Sequence, residues 1–212
     1  MGKKLGKTQP LPQSDGVGFV VLLLLRYKHF SRLQNVKNKT NNKYMMSMTI
    51  EDLLTNYENG KRNFVGIHFN VDGSRAKLKG ADLRGINLMG AYLFHVYLVE
   101  ANLADSCLIG ANLSHAVLVK ANLSHANLVN INLHRSNLHS ADLSRCDLES
   151  ANLSWARLQQ TNLLYATLGR SNLAYANLTG AKNLNLYQAD GVLLWNTILP
   201  DGSVEVGPKY SN

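Results

Sequence analysis

Between residues 78 and 178 an apolar side chain recurs at every fifth place, and each time it is leucine: Leu78, Leu83, Leu88 and onward to Leu178, twenty-one in unbroken succession. Two places before the leucine most units carry a small residue, as at Ala81, Ala101, Ala121, Ala151 and Ala176, with Asn or Asp commonly between the two. A helix turns about 100° per residue, so leucines five apart would scatter over every face and form no stripe. In an extended segment residues two apart point to the same side, so the small residue and the leucine face inward while the Asn or Asp faces out. The two remaining positions hold pairs such as Arg84-Gly85, Met89-Gly90, Ile109-Gly110, Ser124-His125 and Thr179-Gly180, a composition suited to a bend. The period thus predicts short strands that each end in a corner, with the chain winding around its own leucines. One unit cannot bury its apolar face alone, so successive coils must stack.

These units resemble the pentapeptide repeat family, whose repeats read A(D/N)LXX. The resemblance runs densely from Ala76 to Gly180. It implies an all-β fold, a right-handed quadrilateral parallel β-helix with four repeats to a coil. Independent support for a twenty-residue coil comes from the uniform column Ala81, Ala101, Ala121 and Ala141 and from its neighbours Asp82, Asn102, Asn122, Asp142 and Asn162. The expected lumen then contains those alanines with Leu83, Leu103, Leu123, Leu143 and Leu163. Coils at a strand spacing of about 4.8 Å would make a rod roughly 25 Å long.

On either side of the repeats the pattern changes. Met48 to Tyr57 reads as a short helix with Thr49 as N-cap, acidic residues in its first turn, Gly60 beyond its end, and Ile50, Leu53, Leu54 and Tyr57 on one face. Such a helix would cover the open end of a solenoid. Winding begins at Arg62 to Phe69, and Val71 to Arg75 slip the phase by one. Downstream, Ala181 to Leu184 fall out of phase. Val192 to Ser203, which include Asn196-Thr197-Ile198-Leu199-Pro200-Asp201-Gly202-Ser203, resemble the terminal signature of cyanobacterial members of the family. This stretch reads as a second cap, with Trp195 expected in its core. The predicted organisation is a basic tail over 1–47, a capping helix over 48–60, the solenoid over 61–185 and a C-terminal cap over 186–212.

Charge separates the tail from the rest. Its nine Lys or Arg stand against Asp15 alone, which accounts for the whole net charge of +8. Lys3, Lys4 and Lys7 precede the apolar run Val17 to Leu25, the layout of an export signal, yet the run is too short to span a bilayer and Arg26 to Phe30 offer no small-residue cleavage site. Three readings stay open: a disordered or membrane-touching tail, an export signal, and an over-extended start with the initiator at Met45, Met46 or Met48. Cys107 faces outward and Cys146 inward, so no disulfide between them is expected, and a reducing compartment suits both. The cytoplasm is therefore the expected location, with a membrane surface or the thylakoid lumen as the alternatives that depend on the tail.

No nucleotide-binding loop, metalloprotease motif or nucleophile elbow is present. A twenty-residue coil stacks His95, His115, Arg135, Trp155 and Tyr175 in one column and puts His125 at the opposite corner, with His134 and His139 on neighbouring sides. No four ligands converge for a structural zinc, so neither metal nor cofactor is expected. A filled lumen offers no substrate pocket, which argues against an enzyme.

Two binding readings follow. The resemblance implies one of them, since some family members protect or inhibit DNA gyrase as an acidic rod that imitates a duplex. Here nine Lys or Arg stand against six Asp or Glu over 76–185, so the negative field such mimicry needs is missing. Direct nucleic-acid binding is disfavoured too, because the basic excess lies in the tail and no aromatic-interleaved basic stripe is read along the rod. The favoured reading is a scaffold for an unidentified protein partner or a second copy of the chain. Its contact patch is Tyr92, Phe94, Tyr97, Val99, Val117 and Val119, with Met89, Ile109 and Val129 on the opposite face.

Overall fold

The structure, a computed structural model, describes residues 47–69, 78–187 and 189–210. The three readings of the basic tail fall on residues 1–46, outside the described residues, as does most of the phase slip at 70–77.

From residue 82 to residue 162 the outward position of each unit bridges in parallel to the position twenty residues on, as in the column Asp82, Asn102, Asn122, Asp142, Asn162 and Lys182. Four units therefore close one coil. The sides of the coil are shorter than the predicted strands, because each touches its neighbours through a single bridge and then turns. At each corner the amide of the inward residue donates to the carbonyl of the leucine three places back, as Ala121 does to Leu118 at 3.0 Å. The second corner residue has a positive φ throughout, from Gly80 at 66° to Tyr175 at 61°, which is the third-residue conformation of a type II turn.

All five amides of a repeat find acceptors, and the unit Ala121 to His125 shows how. Ala121 closes the turn. Asn122 donates to Ala101 of the previous coil at 2.9 Å, Leu123 to Asp142 of the next at 2.8 Å, and His125 to Ser144 at 2.9 Å. The remaining amide, on Ser124, donates to the Asn122 side-chain Oδ1 at 3.0 Å. The outward Asn or Asp is thus the turn's own acceptor as well as a solvated residue, which explains its place in the repeat. Amide ladders add to this between coils, with Asn122 Nδ2 donating to Asn102 Oδ1 at 3.1 Å and Asn152 Nδ2 to Asn132 Oδ1 at 3.0 Å.

The lumen is filled as the period requires. Leu83, Leu103, Leu123, Leu143 and Leu163 are buried, as are Ala101, Ala121 and Ala141. Ala81, in the first regular coil, is only half-buried against the same cluster. Polar lumen residues mostly turn to the backbone: Ser136 donates to Leu133 O at 2.7 Å, Thr161 to Leu158 O at 2.7 Å, and the Cys146 thiol to Leu123 O at 2.9 Å. Burial pushes that thiol up to about 12. Cys107 and Cys146 are both free.

At the N-terminal end β1 (Ser47–Met48) pairs in parallel with β2 (His68–Phe69), and His68 in turn bridges Tyr92. Between them lies α1 (Ile50–Glu58), where Thr49 Oγ1 accepts from the Asp52 amide at 3.0 Å and Asp52 Oδ2 accepts from the Thr49 amide at 3.3 Å, a reciprocal cap. Ile50 and Leu53 are buried with Phe64 and Ile67 in the lumen cluster, and the Tyr57 hydroxyl donates to Arg84 O at 2.7 Å. Asn63 pairs with Asn87, as His68 does with Tyr92, twenty-four positions on where the later coils have twenty.

Phase persists further downstream than expected. Lys182 still bridges Asn162, whereas Asn172 bridges Leu193 and Asn177 bridges Ile198 at a spacing of twenty-one, so one residue is inserted after Lys182. The insertion brings Val192, Leu194 and Thr197 into the buried positions. Trp195, twenty places on from Tyr175, falls at a corner with or without the insertion, half-buried on the outside with its ring 5.9 Å from that of Tyr175, which corrects the expectation that it packs in the core. β3 (Leu193–Leu194) and β4 (Thr197–Ile198) then receive antiparallel partners on their free sides, from β6 (Lys209–Tyr210) and β5 (Val204–Glu205) respectively. A tight turn at Pro200-Asp201-Gly202 joins β4 to β5, with Asp201 Oδ1 accepting from the Ser203 amide at 2.9 Å and its hydroxyl at 2.6 Å.

Two outcomes test this packing. Leu123→Lys would place an ammonium in a filled lumen with no counter-ion, and loss of the folded protein is expected by circular dichroism. Conversely, Ser106 Oγ is buried without a partner. Ser106→Ala removes that orphan and is expected to raise stability by about 1 kcal/mol, read as a higher melting temperature.

Candidate functional site

With the lumen closed by side chains, chemistry is left to the outer walls. A recess of about 180 Å³ lies beside α1, lined by Met48, Lys61, Asn63, Phe64, Val65 and Ile67. It offers no nucleophile and no acid–base pair. Among the described residues no three His, Cys, Asp or Glu are grouped to hold a metal ion.

The patch expected from sequence wraps one edge of the square rod. Tyr92 and Tyr97 stand on the two sides that meet there, with Phe94 and His95 at the corner between them. The rings of Tyr92 and Phe94 stack at 6.1 Å, and Tyr97 bridges Val117 on the next coil. Val99 and Val119 follow at the adjoining corner, where Glu100 donates its amide to Val119 O at 2.9 Å. Tyr92 is exposed, and Phe94, Tyr97, Val99, Val117 and Val119 are half-buried.

The edge continues beyond that patch. Phe94 meets His95 edge-on at 4.2 Å and His115 at 5.4 Å, and the two imidazoles lie 4.9 Å apart. Next along the column the Arg135 guanidinium sits 5.7 Å from the Trp155 ring, which stacks on Tyr175 at 4.3 Å with 5° between planes. Tyr175 reaches Trp195, so side chains are in contact or near contact from Tyr92 almost to the C-terminal strands. At His95, His115, Arg135, Trp155 and Tyr175 the left-handed corner conformation is the cause: it turns these side chains outward, and the coil repeat sets them above one another.

Sequence reasoning put His134 on a neighbouring side, away from this column. The structure brings it in, because the amide of each left-handed corner residue bonds to the first corner residue of the following coil, here His115 N to His134 O at 2.9 Å. The two rings are 6.0 Å apart, and His134 Nδ1 lies 2.9 Å from Ser154 Oγ. Burial, then neighbouring positive groups, holds His115 and His134 below the usual imidazole range. The missed signal was an offset of nineteen as well as twenty between neighbouring coils. His125 stays exposed at the opposite corner, near which Arg145 lies over the Tyr165 ring at 5.4 Å. The column His95, His115, Arg135, Trp155 and Tyr175 is the one the twenty-residue coil stacks in sequence, and its rings adjoin a single guanidinium, that of Arg135.

Comparison with known proteins supplies the family. The pentapeptide repeats family model matches in eight copies, over residues 74–108, 97–135, 116–154 and 151–182. Among solved structures, HetL, a pentapeptide repeat protein involved in heterocyst differentiation regulation from Nostoc sp. strain PCC 7120, is 26% identical over 74% of this chain and 100% of its own, with a TM-score of 0.31. Rfr23 from the cyanobacterium Cyanothece 51142 is 24% identical over 68% of this chain and 94% of its own, with a TM-score of 0.27. Full-length QnrB1, a plasmid-mediated fluoroquinolone resistance protein, is 16% identical over 61% of this chain and 76% of its own, with a TM-score of 0.31. No curated protein matches the sequence significantly. With family matches running from residue 74 to 182 across coils that close every twenty residues, the chain belongs to the pentapeptide repeat family.

Proposed function

We propose that this chain is a non-catalytic docking rod whose working surface is the edge formed by Tyr92, Phe94, Tyr97, Val99, Val117 and Val119, and that a protein partner or a second copy of the chain binds there. The observation that carries this reading is the contrast between a filled lumen and a contiguous apolar and aromatic edge outside it. Nothing in the fold requires bulky rings at those outward places, since Asn occupies the same columns at 112, 132 and 137. Exposed apolar surface of this kind is a common mark of a contact site.

In the same reading α1 and the C-terminal strands close the two ends of the rod, with 1–47 as a basic tail, 48–60 and 186–212 as caps and 61–185 as the solenoid. Edge-covering elements are what a stacked coil needs to stay monomeric. Two free cysteines favour the cytoplasm as its location. Imitation of a DNA duplex is less favoured. Of the six carboxylates along the repeats, Asp82 pairs with Arg84 and Glu149 with Arg170, which reduces an already weak negative field.

The test is affinity capture from native extract with the full chain and with Tyr97→Asp combined with Val119→Asp. Loss of the captured partner and of any self-association by sedimentation is expected, with circular dichroism unchanged. Unchanged partners and sedimentation would remove this edge from consideration.

A further inference from the structure

The walls of the rod are not electrically alike. Asp82, Asp105, Asp142 and Asp147 all fall on or beside the corner that holds His125 and Tyr165, while Glu100 and Glu149 stand at the two corners between. Along the repeats the diagonally opposite edge has no described carboxylate on its corner or on its two sides, and Glu205, where β5 continues one of those sides, is paired with Lys209. It holds Arg135 and Arg157, both exposed, the imidazoles of His95, His115 and His134, and the rings of Tyr92, Phe94, Trp155 and Tyr175. From this segregation we infer that the edge binds an acidic protein segment, one rich in Asp and Glu, and that it binds it more tightly as the pH falls. This rests on the docking reading above and adds the partner's chemistry and its control.

Charge complementarity selects the occupant. A guanidinium presents a fork of donors suited to a carboxylate, an imidazolium donates from both nitrogens, and the exposed rims of stacked rings carry the positive end of the aromatic quadrupole. Single-stranded nucleic acid fits less well, because it needs free ring faces for its bases. Here the faces of Trp155 and Tyr175 are already spent on each other at 4.3 Å. A second copy fits less well too, since the carboxylates of the opposite corner are interleaved with Arg84 and Arg145, and Asp82 is already paired with Arg84.

The pH response follows from what surrounds the imidazoles. His115 faces His95, His134, Phe94 and Arg135, and the adjoining sides bring Tyr92, Asn112 and Asn132 on one hand and Tyr97, Val117 and Asn137 on the other. Arg157 lies further along the same side and Glu100 stands at the next corner. Partial burial and these like charges depress His115 and His134, so both are neutral near neutral pH. A bound carboxylate reverses the balance and raises their affinity for protons. By linkage the ligand is then held more tightly at lower pH, about tenfold for each unit by which binding raises one imidazole. The free chain moves the other way. Its depressed imidazoles bind protons less readily than the unfolded chain does, so its stability is full above the ordinary imidazole range and declines as the pH falls through that range toward the folded values.

Fluorescence titration of the full-length chain with oligo-glutamate, oligo-lysine and oligo-thymidylate of matched length, at about pH 7.5 and about pH 5.5, tests this across the imidazole range. Oligo-glutamate is expected to bind, about tenfold or more tighter at the lower pH. Arg135→Glu is expected to weaken it at both pH values, and His115→Gln with His134→Gln to remove the pH dependence while circular dichroism stays unchanged. Because residues 1–47 are present in every variant, their basic charge cancels from the comparison. Equal affinity at the two pH values, preference for oligo-lysine or oligo-thymidylate, or an Arg135→Glu chain that binds oligo-glutamate like the parent would each overturn the inference. A chain that loses its captured partner through Tyr97→Asp and Val119→Asp, yet shows no preference for oligo-glutamate, would leave the docking reading standing and overturn this one.

Discussion

The structure depends on the pairing of every backbone amide in a five-residue unit that has almost no strand to do it with. Three of the five reach neighbouring coils, one closes the corner and one goes to the unit's own Asn or Asp. A side only one bridge long would be worthless as an isolated hairpin, and it is the repetition at twenty residues that makes the bonds reinforce one another. The same arrangement explains the consensus. Leucine fills the axis, the small residue allows the walls to approach it, and the carboxamide supplies an acceptor that a straight strand would not need.

The corner has a cost that this pairing offsets. Left-handed backbone costs an ordinary residue on the order of 1 kcal/mol, yet Lys120, Arg135, Trp155 and Tyr175 all adopt it. They persist there because the coil above and the coil below both hold the corner amide and carbonyl. Identity at that position is then nearly free to vary, since the side chain points into solvent. Folding and recognition are thereby separated in the chain: the lumen and the bridges set the rod, and the corners carry whatever surface the protein presents.

That surface is organised by stacking. Residues distant in the chain become neighbours every twenty positions, and across a corner every nineteen, so a few aromatic and basic residues form a continuous edge while four of the six carboxylates along the repeats collect around the opposite one. Trp195 extends the edge at the corner beside Tyr175, and the inserted residue after Lys182 moves it only from the second place of that corner to the first. Free sides of the last two coil strands are then taken by antiparallel partners, which leaves fewer unpaired backbone groups at that end.

Spacing alone determined the inward leucines, the outward Asn and Asp and the coil-like path, because a five-residue period is incompatible with a helix and leaves a strand and a corner as the remaining solution. The capped helix from Ile50 was equally legible, since its Thr49 and Asp52 are local partners. Tertiary structure decided the rest. His134 joins His115 through an offset of nineteen, and Val192, Leu194 and Thr197 reach the lumen through an insertion, without any change in the local pattern. Such contacts depend on register between coils, and register is settled by bonds between residues about twenty positions apart, beyond the reach of any short stretch of sequence.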